Sequence, residues 1–127
     1  KQAIGRIVFN SDSERKWIES LLHPIVRSLW TSFIQSCSSE NCLVELPLLF
    51  ENNLQTQFTC VVTMYASNST IYQRLFQRGL SLEEANARIS SQLPLVQKVT
   101  RADFVLWGGG TNDFLNRQVD ALAPTIF

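Results

Sequence analysis

Histidine is nearly absent from this 127-residue chain: His23 stands alone, so no histidine-based metal centre can be built. Net charge is absent too. Eleven basic and eleven acidic groups cancel, so no long-range field draws the molecule toward nucleic acid or anionic lipid. No apolar run reaches the roughly 18 to 20 residues of a membrane span. Lys1 to Asn10 carries no apolar run with a cleavage-like site, so no signal peptide is read. The cysteines are Cys37, Cys42 and Cys60. An odd number, with Cys60 inside a strand-like run, argues against a disulfide scaffold and for a reducing, cytoplasmic compartment. An initiator methionine is missing, and Lys1 to Phe9 reads as the middle of a longer sequence. Glycines followed by a Lys-Ser or Lys-Thr pair, the phosphate-loop signature, do not occur.

What remains is a chain that is 45% hydrophobic and 17% charged, the profile of one globular domain. Glu14 to Gln35 is its clearest element. Trp17, Ile18, Leu21, Leu22, Ile25, Val26, Leu29, Trp30, Phe33 and Ile34 recur at helical steps and form a wide apolar stripe. Ser11 and Glu14 fit a capping box, and Pro24 is expected to bend or split the helix after Leu22. After a polar break at 36–41, Leu43 to Phe50 predicts a short strand running into a turn at Pro47. Phe58 to Tyr65 predicts a second strand, covered on both faces as in a parallel sheet. Asn68-Ser69-Thr70 opens a helix that Gly79 stops; Ser81 and Glu84 box the next, which Pro94 ends. Ala102 to Trp107 predicts a third strand, and Thr111 or Asn112 opens a last helix. The order favours an α/β sandwich with crossover connections and an excursion of two short helices.

Candidate chemistry is concentrated in the basic residues. From Thr70 to Arg101 there are five basic groups and two acidic ones. Arg74 and Arg78 share a helical face, and Arg88 sits on the next helix. Guanidinium forks suit phosphoryl oxygens, although a solvated basic face accounts for the same spacing. Leu46 to Glu51 lies beyond a strand's carboxyl end, where α/β folds bind ligands. Glu51 there either orients a substrate or is a solvated strand-end residue. Gly108-Gly109-Gly110 either cradles an anion at a helix start or makes a tight strand-to-helix turn. His23, next to Pro24, reads better as a packed histidine than as a general base.

A resemblance joins these pieces. Arg6-Ile7-Val8-Phe9, Glu14, Glu19 and Leu22-His23-Pro24-Ile25 precede Val44-Glu45-Leu46-Pro47-Leu48-Leu49-Phe50-Glu51. Gln73-Arg74-Leu75 with Arg78, Leu80 and Ser81 follows, then Glu84-Ala85, Ala87-Arg88-Ile89, Gln92 and Ala102-Asp103. In order and spacing the chain resembles the dephospho-coenzyme A kinases over nearly its whole length. The resemblance implies a three-layer P-loop NTPase-like α/β fold with a parallel sheet and helical lid, incomplete at the amino terminus. It implies a division into an acceptor-side helical segment (1–42), core strands (43–67), lid helices (68–100) and a last strand and helix (101–127). It implies transfer of the ATP γ-phosphate to the 3′-hydroxyl of dephospho-coenzyme A, the last step of coenzyme A biosynthesis, with magnesium (Mg2+) held by a segment outside these residues. Arg74, Arg78 and Arg88 would act on the phosphates, with Arg74, Arg88, Gly108, Gly109 and Gly110 toward ATP. His23, Pro47, Leu48, Phe50, Glu51 and Arg78 would face the acceptor. Where the family carries an aspartate-asparagine pair, this chain has Trp107-Gly108, which puts nucleotide selectivity in doubt. Without the phosphate loop the chain alone is expected to be inactive, and its exposed sheet edges imply pairing with another copy, a rearrangement, or a further amino-terminal portion. A non-catalytic binding or assembly module descended from such a kinase, or another nucleoside or nucleotide kinase, are the alternative readings.

Overall fold

A computed structural model of the chain describes residues 11–37 and 41–127. Arg6 to Phe9, and the middle of the polar break, lie outside the described residues. The chain divides into two compact units, Lys1–Leu46 and Pro47–Phe127.

The first unit contains α1 (Asp12–Ser36). Ser11 caps it, its side chain accepting the Glu14 amide at 3.4 Å. Pro24 does not split the helix, which runs unbroken past it. Proline removes one amide donor, and the ladder on either side holds the geometry. The predicted stripe is open to solvent in this structure: Trp17, Leu29 and Ile25 are all more than half exposed. Leu43–Leu46, expected as a strand, belongs to no sheet. An extended apolar segment becomes a strand only by hydrogen bonding to a neighbour, and none of the described residues supplies one.

The second unit is the α/β part. Its order is a turn at 47–53, a short 3-10 turn (Gln55–Gln57), β1 (Val62–Tyr65), α2 (Asn68–Gln77), α3 (Leu82–Ser90), α4 (Leu95–Arg101), β2 (Phe104–Trp107) and α5 (Asn112–Ile126). The two strands pair in parallel, Val62 opposite Phe104 through Tyr65 opposite Trp107. The crossover holds three helices rather than two. Pro94 does not end α3, which stops at Ser90; it stands at the start of α4, where proline is tolerated.

Local chemistry sets the helix ends. Ser67 accepts the Thr70 amide. Ser81 and Glu84 complete both halves of the predicted capping box. Thr111 accepts the Phe114 amide. At the end of α2, Gly79 takes φ +81°. Gly79 and Leu80 then donate to the Phe76 and Leu75 carbonyls, the paired bonds that close a left-handed helix cap.

Packing is asymmetric. α4 lies on β1, α5 on β2, and α2 on α3, the last pair tied by Tyr72 donating to Asn86 at 2.6 Å. Among the described residues Phe50, Val61 and Ala85 are the buried apolar side chains. Met64 and Val105 are exposed, which corrects the expectation of strands covered on both faces: with two strands the available helices cover only part of the sheet. The strand entrances are locked together. Asp103 accepts the Val61 amide at 2.7 Å, while the amides of Asp103 and Phe104 donate to the Val61 carbonyl. Gln118 of α5 brackets the last residue of β2, accepting the Trp107 amide at 2.8 Å and donating to the Trp107 carbonyl at 3.0 Å.

Replacing Asp103 with alanine strips the Val61 amide of a charged acceptor. The expected cost is about 1.5–3 kcal/mol, read as a lower urea midpoint with an unchanged slope.

Candidate functional site

The carboxyl ends of β1 and β2 meet at one place. The Gly108 amide donates to the Tyr65 carbonyl at 2.7 Å, continuing the strand pairing by one residue. Above that junction the Arg74 guanidinium, from α2, donates through Nη2 to the Gly108 carbonyl. Arg74 is thus directed at the strand ends, the position where open α/β sheets bind ligands. One of its five donors is used there, and the fork retains others for an anion.

The glycine turn is closely packed. A side chain at Gly109 would stand 2.7 Å from the Trp107 indole, and one at Gly110 would stand 3.0 Å from the Phe114 ring. Gly108 would meet the Met64 methyl at 3.0 Å. The glycines are needed so that rings can fold onto the backbone. Trp107 packs on Tyr65 with ring centroids 5.4 Å apart, and the Arg117 guanidinium lies 6.0 Å over Phe114. Trp107 and Phe114 both remain about 40% exposed, giving the turn an aromatic rim.

The Pro47–Glu51 turn is built differently from a solvated strand end. Leu48 sits at φ 56°, a left-handed conformation that costs a residue with a Cβ roughly 1–2 kcal/mol. Asn52 holds it there, its amide and its side-chain Nδ2 both donating to the Leu48 carbonyl at 3.1 and 2.9 Å. Pro47 is exposed, whereas Phe50, at 5% exposure, is part of the core.

Glu51 is directed inward. Its Oε1 receives the Leu93 amide at 2.8 Å and the Lys98 ammonium at 2.7 Å, and Lys98 also donates to Gln92 at 3.0 Å. Oε2 is buried with no hydrogen-bond partner among the described residues. Burial by itself would raise the Glu51 pKa. The Lys98 hydrogen bond and charge, with backbone donors from Leu93 and from Glu51 itself, outweigh it and hold the carboxyl below its ordinary value. The link ties the Pro47–Asn53 turn to the junction of α3 and α4.

The remaining predicted residues are dispersed. Arg78 ends α2 and is exposed. Arg88, in the last turn of α3, is half-buried and engaged. His23 is exposed on α1 in the other unit. The structure therefore brings together Arg74 and Gly108, and separately Glu51 and Lys98. Sequence reasoning counted Lys98 as basic without assigning it a partner, and passed over Gln118. The first contact joins positions far apart in sequence and the second spans a strand-to-helix turn, and spacing alone signals neither. Among the described residues no group of three or more His, Cys, Asp or Glu side chains is placed to hold a metal. Glu51 Oε1 and Asp103 Oδ2 are engaged by protein donors, Asp103 at the opposite end of the strands, so the described residues assemble no magnesium site. No described helix is long and apolar enough to cross a membrane.

The family model described as dephospho-CoA kinase (CoaE) matches residues 1–113. The dephospho-CoA kinase of Trichormus variabilis is 39% identical over 118 residues, covering 92% of this chain and 60% of the relative. That of Geobacillus kaustophilus is 35% identical over 123 residues, covering 94% and 61%. Two solved structures are similar. TT1252 from Thermus thermophilus superposes with a TM-score of 0.79 at 30% identity, over 99% of this chain and 66% of that one. The dephospho-CoA kinase from Campylobacter jejuni gives 0.61 at 29% identity, over 98% and 64%. The chain spans about 60% of the length of the curated relatives it matches.

Because the folded Glu51 pKa is depressed, its ionised form stabilises the fold fully above the ordinary glutamate value of 4.5. That stabilisation drains as pH falls through the lower folded value. Glu51→Gln is expected to lower the thermal midpoint at pH 7 and to flatten its fall below pH 4.5. Parallel acid limbs in the two proteins would contradict the ion-pair assignment.

Proposed function

The chain belongs to the dephospho-CoA kinase family, and on that premise we propose that its residues serve transfer of the ATP γ-phosphate to the 3′-hydroxyl of dephospho-CoA. In that reaction the acceptor oxygen bonds to phosphorus, the bond to the ADP oxygen breaks, and the hydroxyl proton is released. The observation that carries the reading is the family match across residues 1–113, running through the arginine-bearing helices and the Pro47–Glu51 turn.

Each group has a role that its surroundings support. Arg74, already aimed at the strand ends, neutralises charge on the transferring phosphoryl group. Arg78 and Arg88, on the same pair of helices, add to that field when the nucleotide is bound. Gly108, Gly109 and Gly110 let the aromatic rim of Trp107 and Phe114 close on the adenine side. The family's adenine-reading asparagine is replaced at Gly108, so stacking there takes over from hydrogen bonding, and base selectivity falls. On the acceptor side, Pro47 and Leu48 contribute surface. Phe50 and Glu51 act from within, holding the turn in shape.

Magnesium, entering with the nucleotide, would offset phosphate charge. The residues described here supply no ligand set for it, and they contain no glycine-rich loop with Lys-Ser or Lys-Thr. Positioning and charge stabilisation provide most of the acceleration of phosphoryl transfer. The 127 residues are therefore proposed to be inactive by themselves.

Incubated with ATP, Mg2+ and dephospho-CoA, the 127-residue chain is expected to form no CoA above background; turnover would overturn the proposed inactivity. Joined to the amino-terminal segment of a full-length relative, it is expected to form CoA, and Arg74→Ala is expected to lower kcat/KM about 10²-fold or more. Phosphorylation of a different nucleoside in preference to dephospho-CoA would move the assignment to another acceptor.

A further inference from the structure

Two thiols outside the candidate site face one another. Cys37 ends α1, its amide donating to the Phe33 and Ile34 carbonyls. Cys42 lies in the segment that follows. Their Sγ atoms are 3.5 Å apart, with the Cys37 thiol donating to Cys42. Both cysteines are half-buried and unbridged, and the third, Cys60, lies in the other unit. Reaching the roughly 2.05 Å of a disulfide takes about 1.5 Å of sulfur movement, within the range of side-chain rotation.

We propose that Cys37 and Cys42 form a reversible redox site, closed to an intramolecular disulfide by low-molecular-weight disulfides such as oxidised glutathione. One thiolate attacks the small disulfide, forming a mixed disulfide and expelling one small thiolate. The second cysteine then attacks the protein sulfur of that mixed disulfide and expels the other. The two cysteines lose two electrons and two protons. The small disulfide takes up both electrons and, with those protons, leaves as two thiols. A metal site is the poorer reading of the pair, because two sulfurs alone leave a tetrahedral ion half-coordinated and no third ligand stands near among the described residues. Burial, then the neighbouring Cys37 thiol, pushes the Cys42 thiol up, which favours its protonated, less nucleophilic form. Closed, the bond would fasten the carboxyl end of α1 to the segment entering the Pro47 turn.

Cysteines this close in sequence pair readily even in an unfolded chain, so the decisive measurement compares the two states. The 127-residue chain is equilibrated with reduced and oxidised glutathione, in buffer and in concentrated urea, then alkylated and mapped by peptide mass. The expected result is a Cys37–Cys42 link whose equilibrium constant is about tenfold or more higher in buffer. By linkage the disulfide then stabilises the fold by about 1.4 kcal/mol. In Cys42→Ser, Cys37 is expected to stop at the glutathione mixed disulfide, and dithiothreitol should restore the thiols in both proteins. Equal constants in buffer and urea would overturn the proposal, as would preferred pairing with Cys60 or between chains.

Discussion

Residues 61 and 103 hold the second unit together at its base. Val61 offers a donor and an acceptor at the entrance to β1, and the chain around Asp103 satisfies both. With that junction fixed, the register of two four-residue strands is fixed, and everything at their far ends follows. Tyr65 arrives beside Trp107, Gly108 arrives beside the Tyr65 carbonyl, and the carbonyl of Gly108 is left pointing where Arg74 can reach it. A short parallel pair has little ladder energy of its own. A charged acceptor at the start and a side-chain amide at the end compensate for that brevity.

Local features of this chain were readable and tertiary ones were not. The helices were announced by their caps: Ser11, the Ser81/Glu84 box, Thr111 and the stop at Gly79 all act as short-range hydrogen bonding requires. The stripe of α1 and the strands ending at Tyr65 and Trp107 were equally plain. Leu43 to Leu46 was misread because being a strand is a property of pairing, which composition does not reveal. Pro94 reads in the sequence as a terminator, which hides the start of α4. The class of fold and the family were visible because order and spacing survive even where single residues are ambiguous.

The candidate site was legible by residue type and opaque by contact. Arg74 was singled out for its charge, and its partner proved to be a backbone carbonyl rather than a carboxylate. Glu51 was weighed as a substrate ligand or a solvated strand end. It turns out to be one half of a half-buried ion pair with Lys98, and it also holds the Leu93 amide. A carboxylate so engaged governs the turn that carries Pro47 and Leu48, and Leu48's left-handed backbone is part of the same construction. Strain of this kind persists only where surrounding bonds leave no alternative.

The bracket that Gln118 places on Trp107 bears on how the sheet can be extended. Its carboxamide spends one donor and one acceptor on Trp107, imitating the main chain of a neighbouring strand. A newcomer on that side would find the last rung of β2 already taken. β1 has no such stopper among the described residues, so its outer edge is the less obstructed one for a further strand. Lateral growth of this sheet is therefore polarised, with a single side-chain amide acting as the end-stop.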